Sequence, residues 1–472
     1  MSQRRGFLRS ARGTKIVRVR DPIHNLIVFN AKSDIDQLAW QLINSVEFQR
    51  LRRIRQLGFS EYTYPGATHT SFSHSIGVFH VARILVKIIE QKFRKTNEDR
   101  RIACLCAALL HDIGHGPFSH VFERINESYS HAGSIESPYK HEYWSGEIIL
   151  GNTEVNEILR RYDQRLPEKI VRIINSQDPE DIFASIISSQ FDADRLDYLR
   201  RDRYMCGVSV GHFDYDWLLE NLMEADVVRY SDPTRQAAER IKWLVLHPKA
   251  REAAEGYLLA RYQLYSTVYY HKATRSAEGM LRILLKRAGE FAREKKFNRI
   301  GVEKQHPILI YLGKKKPELD DYMRLDDYSI WSLLSSLAFS RDRLLSEIAR
   351  RILERKLFKS FDVGVRVDSH TDTGETFLYE LKEELPKFQL VEDESFFEDR
   401  PQAKGYDWYE WDAPSALKKV LVRDIERNRN IDIGSSDVVS ALKARRFLRI
   451  YATDSAAIRR IERFWIRQGG GR

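Results

Sequence analysis

Between residues 30 and 355 the chain is a succession of long amphipathic segments with few breakers, and this pattern confines it to a mostly helical fold. Glycine and proline number only 24 and 13 in 472 residues. In 34–58 (DIDQLAWQLINSVEFQRLRRIRQLG), 75–93, 100–114, 141–150, 191–203, 250–297 and 329–339, apolar residues recur three and four apart, which predicts helices. The composition changes after about residue 358. FDVGVRV (361–367), FLYELKE (377–383) and RFLRIYAT (446–453) alternate β-branched or aromatic residues with polar ones, and predict strands. The expected division is a basic arm over 1–20, a helical unit over 21–355 and a smaller α+β lobe over 356–472. A chain of this length supports two or three cores rather than one.

Lys and Arg total 77 against 67 Asp and Glu, a formal net charge of +10. Residues 1–20 carry seven basic and no acidic side chains, so that arm is either a solvated tail or a contact for anions or nucleic acid. No window approaches the roughly 18 uninterrupted apolar residues of a membrane span, and the N-terminus has no apolar leader core. No membrane partner is expected, and a cytoplasmic location is. Cys104, Cys106 and Cys206 form no C-x-x-C pair, and they read as reduced, buried thiols.

Eight of the 14 histidines fall between residues 69 and 141. Histidine is the commonest metal ligand, so this crowding points to a metal or phosphate site. The sharpest string is LLHDIGHGPFSHVFE (109–123). An apolar run delivers His111 and Asp112 to a helix end, where Gly114 and Gly116 break the helix and Pro117 can open the next. Alone, a His-Asp pair is compatible with a surface hydrogen bond. With two further ligands from elsewhere, it would hold a cation that keeps open positions for water and substrate, the plan of a catalytic centre. Glu123 stands one helical turn after His120 and can orient it.

These strings, together with FQRLRRIRQLGFSEYTYPGATHTSFSHSIGV (48–78), HEYWSGEIIL (141–150), DADRLDYLRRDRYMCGV (192–208), YQLYSTVYYHKATRSAEGML (262–281) and the C-terminal 439–468, resemble the HD-domain deoxynucleoside triphosphate triphosphohydrolases. The resemblance extends to the vertebrate members that carry a SAM domain. That domain is expected to be absent here, since about 20 residues precede the shared core. The resemblance implies an HD-type helical core with the α+β lobe behind it. It implies that His74, His111, Asp112 and Asp194 hold one divalent metal, a set that suits Mn, Fe or Zn, with Mg accompanying the nucleotide. It places His115, His120 and His141 at the phosphates, with Glu123 where the family has Asp. On the substrate side it matches Gln56 and Leu57 to the deoxyribose, Arg195 and Arg261 to phosphate, Tyr198 and Asp202 to the sugar, and Tyr269 to sugar or base. Tyr265 stands where the family has His. For His69, His80 and His131, ordinary packing or surface positions are expected.

Two departures from the family pattern matter. Ser71 occupies the position of a phosphate-binding Arg, which weakens the expectation of triphosphate cleavage. Asn44, Gln49 and Arg52 match an Asp–Gln–Arg activator set, and Asn44 lacks the charge that reads guanine. The implied partners are a deoxynucleoside triphosphate, an activating nucleotide and a second copy of the chain in a dimer or tetramer; the net charge of +10 and the basic arm add single-stranded nucleic acid. The implied reaction yields deoxynucleoside and inorganic triphosphate. The rivals are an HD phosphohydrolase of another nucleotide ester, monophosphate or cyclic, and a nucleic-acid-binding protein with a vestigial site.

Overall fold

The computed structural model describes residues 16–131, 140–175, 181–230, 238–363, 373–403, 419–442 and 445–469. The fold is mostly α, with small sheets. Its centre is three packed helices, Ser71–Lys92, Glu98–Leu110 and Ala193–Cys206. Glu98–Leu110 begins cleanly: the Asn97 side chain accepts from Arg100 N at 3.1 Å, and Glu98 and Asp99 complement the positive end of the helix. Every residue from Ile102 to Leu110 is buried, so neighbours wrap this helix on all sides. Cys104 and Cys106 are part of that wall, and burial pushes both thiols up, as inert core residues require. Ser71–Lys92 is long and apolar enough to cross a membrane by length and composition alone, although polar and charged residues interrupt it. However, 67% of that window is buried inside the protein.

Several segments differ from the sequence reading. The 34–58 stretch is not one helix but Asp34–Asn44, Val46–Arg50 and a 3₁₀ turn, Leu51–Arg53. Ser45 divides it, donating to Leu42 O at 2.7 Å and accepting from Phe48 N at 3.3 Å. The 250–297 stretch is likewise interrupted, by a π turn at Tyr265–Tyr269 between helices Arg251–Leu264 and Lys272–Arg293. Val17–Asp21, mostly within the expected arm, pairs antiparallel with Asn25–Phe29. The rest of the arm, 1–15, lies outside the described residues. A second unanticipated hairpin, Leu222–Tyr230 with Ala238–Leu246, sits inside the helical unit. It buries Ala225, Val227, Trp243 and Val245 on one face, an alternation that a helix search passes over.

FLYELKE is helical, not extended, within Thr373–Glu384. Phe377, Leu378, Leu381 and Leu385 form one buried stripe, and Glu, Leu and Lys favour the helix. RFLRIYAT does supply a strand. Arg449–Ala452 lies between Lys359–Asp362 and Phe396–Asp399, antiparallel to both. Of FDVGVRV, residues 364–367 lie outside the described residues. Phe361, Phe377, Leu381, Ile450, Ile461 and Trp465 share a separate core cluster. The proposed boundary at 355/356 is nevertheless crossed by a sheet, since Leu421–Asp424 joins Ala238–Leu246 in parallel through Leu246 and Val422.

His80 packs against the ring of His24 at 5.0 Å between centroids, in line with a packing role. Burial, then the charges of His24 and Arg83, pushes its pKa down to about 4. Its unfolded value is 6.5, so below that pH the unfolded chain takes a proton that the folded chain refuses until about 4. Stability is therefore lost as pH falls through this window, by about 2 kcal/mol once solvent screening of a half-buried ring is allowed for. Between pH 7 and pH 4.5 the urea midpoint should fall less for His80→Gln than for the natural chain. Equal losses in both proteins would refute the assignment.

Candidate active site

The turn after Glu98–Leu110 is clamped from three sides. Ser145 Oγ donates to His111 O and accepts from Gly114 N, both at 3.0 Å. Tyr322 OH donates to Gly114 O at 2.7 Å, and both Arg50 terminal nitrogens donate to His115 O at 2.8 Å. A Cβ on Gly114 would overlap His141 O and Ser145 N, so the helix His141–Leu150 can approach only a glycine here. The clamp aims His111 and Asp112 inward. His111 Nδ1 sits 3.0 Å from Ala108 O, which leaves Nε2 to the site.

His74 comes from the first turn of Ser71–Lys92 and Asp194 from the first turn of Ala193–Cys206. His74 Nε2 lies 3.1 Å from Asp194 Oδ1 and 3.6 Å from Asp112 Oδ2. His111 Nε2 lies 3.4 Å from Asp112 Oδ1 and 3.7 Å from Asp194 Oδ1. Adjacent ligands of one ion, each about 2.1 Å from it, stand roughly 3.0–3.4 Å apart, so this spacing fits a shared cation. His74 Nε2 and His111 Nε2 are both buried with no hydrogen-bond partner among the described residues, a cost that an ion would relieve. The cluster can hold one divalent metal. Burial would raise the Asp112 and Asp194 carboxyls, but the facing histidines hold both below the usual range, so both offer anionic oxygens to a cation.

Behind His74 is a buried network that sequence reasoning missed. Asp197 Oδ2 accepts from His74 Nδ1 at 2.8 Å and from Arg201 Nε at 2.7 Å. Asp197 Oδ1 meets His24 Nε2 at 2.6 Å and Arg201 Nη2 at 3.0 Å. Arg201 Nη1 also donates to Asp21 Oδ2 at 2.8 Å. A carboxylate on the far nitrogen of a ligating histidine fixes its tautomer and ring orientation. Asp197 follows Asp194 by three residues, and that spacing was the signal available.

Through Asp112 and Asp194 this cluster opens into a cleft of about 650 Å³. Asp112, His115, Glu123, His141 and Asp194 line one part of it. His115 Nε2 is 3.3 Å from Asp112 Oδ1, and the His115 and His141 rings stack at 4.3 Å. Glu123, expected to orient His120, is hydrogen-bonded to His141, at both the ring Nδ1 and the backbone N–H. Burial opposes the His141 charge, but Glu123 pushes its pKa up to about 9, so the ring is cationic at neutral pH. The helix His120–His131 includes His120, but the side chains of His120 and His131 lie outside the described residues.

Gln56, Leu57, Arg195, Tyr198, Asp202, Arg261, Tyr265 and Tyr269 line the same cleft. Arg195 is held by Ser189 O at 2.9 Å and by Asp192, and Arg261 by Gln190 Oε1 at 2.9 Å. Asp202 accepts from Tyr269 OH at 2.7 Å and meets His69 Nε2 at 2.8 Å, so His69 is a buried partner of the site and not a bystander. Ser71 is buried, and its hydroxyl has no hydrogen-bond partner among the described residues. Arg124 and Lys140, which the sequence did not single out, also line the cleft. Asn44, Gln49 and Arg52 lie outside it. Gln49 accepts from Arg52 Nε at 2.8 Å, and the Arg52 guanidinium stacks 3.5 Å over Phe72.

The HD domain profile matches residues 71–202, and the HD associated region matches 235–384. An uncharacterised protein of Bacillus subtilis, YwfO, is 36% identical over 83% of this chain and 81% of its own length. The deoxynucleoside triphosphate triphosphohydrolase SAMHD1 of Mus musculus is 28% identical over 55% of this chain, and the match spans 42% of that enzyme. The crystal structure of a phosphohydrolase from Bacteroides thetaiotaomicron superposes with a TM-score of 0.71 at 24% identity, over 93% of this chain and all of that one, a likeness of fold. With two histidines and two aspartates gathered in one cluster, the chain belongs to the HD-domain phosphohydrolases and carries the HD-associated region behind that domain.

Proposed function

We propose that this HD phosphohydrolase hydrolyses deoxynucleoside triphosphates to a deoxynucleoside and inorganic triphosphate. The observation that supports the reading is one cleft lined both by Asp112, Asp194 and His141 and by Leu57, Tyr198, Asp202 and Tyr269. His74, His111, Asp112 and Asp194 would hold Mn, Fe or Zn. When bound, such an ion polarises a phosphoryl oxygen and makes a hydroxide available near neutral pH. His115 and His141 stabilise phosphate charge, and Glu123 keeps His141 protonated. His120 serves as the proton-transfer group toward the leaving 5′-oxygen. Arg195 and Arg261 meet the polyphosphate, together with Mg²⁺ carried by the nucleotide. Leu57 against the sugar leaves a 2′-hydroxyl without a partner, which disfavours ribonucleotides by about 10- to 100-fold.

Buried Ser71 and the protein-held guanidiniums of Arg195 and Arg261 favour a second reading, an HD phosphohydrolase of a nucleotide monophosphate or cyclic nucleotide. A panel of deoxynucleotides and ribonucleotides with Mn²⁺ and Mg²⁺, run with and without a second nucleotide and with product identification, separates the two. Tripolyphosphate from a deoxynucleoside triphosphate is the expected product. Release of only orthophosphate or pyrophosphate would overturn cleavage at the α-phosphate. Salt-sensitive binding of single strands without any hydrolysis would favour a vestigial site. Sedimentation with and without nucleotide tests the proposed homo-oligomer.

A further inference from the structure

The cleft wall that carries Tyr265, Tyr269 and Tyr270 is braced from outside by the C-terminal sheet. All three tyrosines stand on or beside the π turn Tyr265–Tyr269. Such turns are rare and mostly occur as single bulges, often where function needs a side chain re-aimed. Tyr270 N–H closes this one on Tyr265 O at 3.1 Å. His271 then caps the next helix, its Nδ1 accepting from Ala273 N at 3.2 Å. The Tyr270 carbonyl falls at the junction between the two helices, and Arg449 Nη1 donates to it.

Arg449 is only 8% exposed. Its Nε donates to Asp362 Oδ2 at 2.9 Å on the neighbouring strand. Its guanidinium stacks 4.4 Å over Phe447, and the Phe447 ring meets Tyr270 edge-on at 5.9 Å. On the other side, Tyr64 OH donates to Thr267 O at 2.6 Å, so the turn is pinned at its middle and at its C-terminal end. The same sheet grips Lys272–Arg293 a second time, where Arg275 Nε donates to Asp399 Oδ2 at 2.8 Å. Arg449 does not line the cleft and lies outside both family-matched spans, 71–202 and 235–384.

We propose that Arg449 is a positioning residue that fixes the π turn and so sets how tightly the tyrosine wall grips the nucleoside part of the substrate. This rests on the nucleotide reading of the cleft. One planar fork bonds Asp362 and the Tyr270 carbonyl together, and no other side chain offers that geometry. Without it, the end of the turn is released while the metal cluster, built on other helices, keeps its shape. The effect belongs in nucleotide affinity and not in the chemical step.

The full-length protein loaded with Mn²⁺ tests this as Arg449→Ala, Arg449→Lys and Asp362→Asn. The assays are KM and kcat on the preferred nucleotide, and the rate on bis(p-nitrophenyl) phosphate, an ester with no nucleoside. Arg449→Ala should raise the nucleotide KM about tenfold, with kcat and aryl-ester hydrolysis within about twofold of the natural protein. Arg449→Lys should recover part of the loss, and Asp362→Asn should show a smaller rise. If Arg449→Ala does not fold, the other two variants carry the comparison. An unchanged KM in all three, equal values for Lys and Ala, or a parallel fall on both esters overturns the role. A natural protein that cleaves the aryl ester but no nucleotide fails differently: it removes the nucleotide reading itself, and this role with it.

Discussion

Asp112→Ala should leave a folded protein that binds no divalent ion and turns over its ester at least about 10³-fold more slowly. Asp112 is the one carboxylate that approaches all four histidines of the site described, His74, His111, His115 and His141, at 3.3–3.9 Å. Without it the cluster loses an anionic ligand and the group that balances those rings. His111→Ala should give the same phenotype by removing a buried Nε2 that has no other use among the described residues. Metal content after dialysis, circular dichroism and turnover read the three parts separately. Full activity in either variant after metal depletion would count decisively against the ligand set.

The second large effect is structural. Asp197→Ala should lower stability by about 3–5 kcal/mol, because it strands Arg201, His74 and His24 around a lost counter-charge. Asp197 and Arg201 are each 0% exposed, so water cannot take over those bonds. Metal affinity should also fall about 10- to 100-fold, since His74 loses the acceptor that orients its ring. The double variant Asp197→Leu with Arg201→Met replaces the pair by apolar groups of similar size and should recover much of the stability. It should not recover the metal affinity, because the His74 acceptor is still missing. Urea midpoints and a metal-competition titration measure both effects. An Asp197→Ala protein as stable as the natural chain would show that the network carries little weight.

The site was more legible in the sequence than the fold around it. The string from Leu109 to Glu123 places a buried helix, its end and two candidate ligands within a few residues, so local spacing was enough to mark it. His74 and Asp194 could be attached only through family resemblance, because nothing local to either says that it meets His111. The partners behind the ligands were not legible at all. His24 and Asp197 are 173 residues apart, and their contact depends on how a β-hairpin packs against a helix. Glu123 shows the same limit. Helical spacing related it to His120, and only the fold brings His141, from the next helix, onto its carboxylate. His69 looked like packing because its carboxylate partner, Asp202, is remote in sequence.

Secondary structure failed where local preference and tertiary setting disagreed. FLYELKE has aromatic residues in near alternation, but its apolar side chains also form a helical stripe. The core of Phe361, Ile450 and Trp465 selected the stripe. The hairpin of Leu222–Tyr230 and Ala238–Leu246 escaped notice because its strands make sense only when each has the other to bond.

The sequence by itself determined the helical class and the turn with its adjacent His111 and Asp112, because periodicity and spacing along one chain carry that information. Only the tertiary structure decided which carboxylate meets which histidine, that Leu421–Asp424 from the C-terminal segment joins the sheet of Leu222–Tyr230 and Ala238–Leu246, and that Arg449 bonds the Tyr270 carbonyl. Those are contacts between distant residues, selected by the packing of whole elements, and no short window of sequence contains both partners.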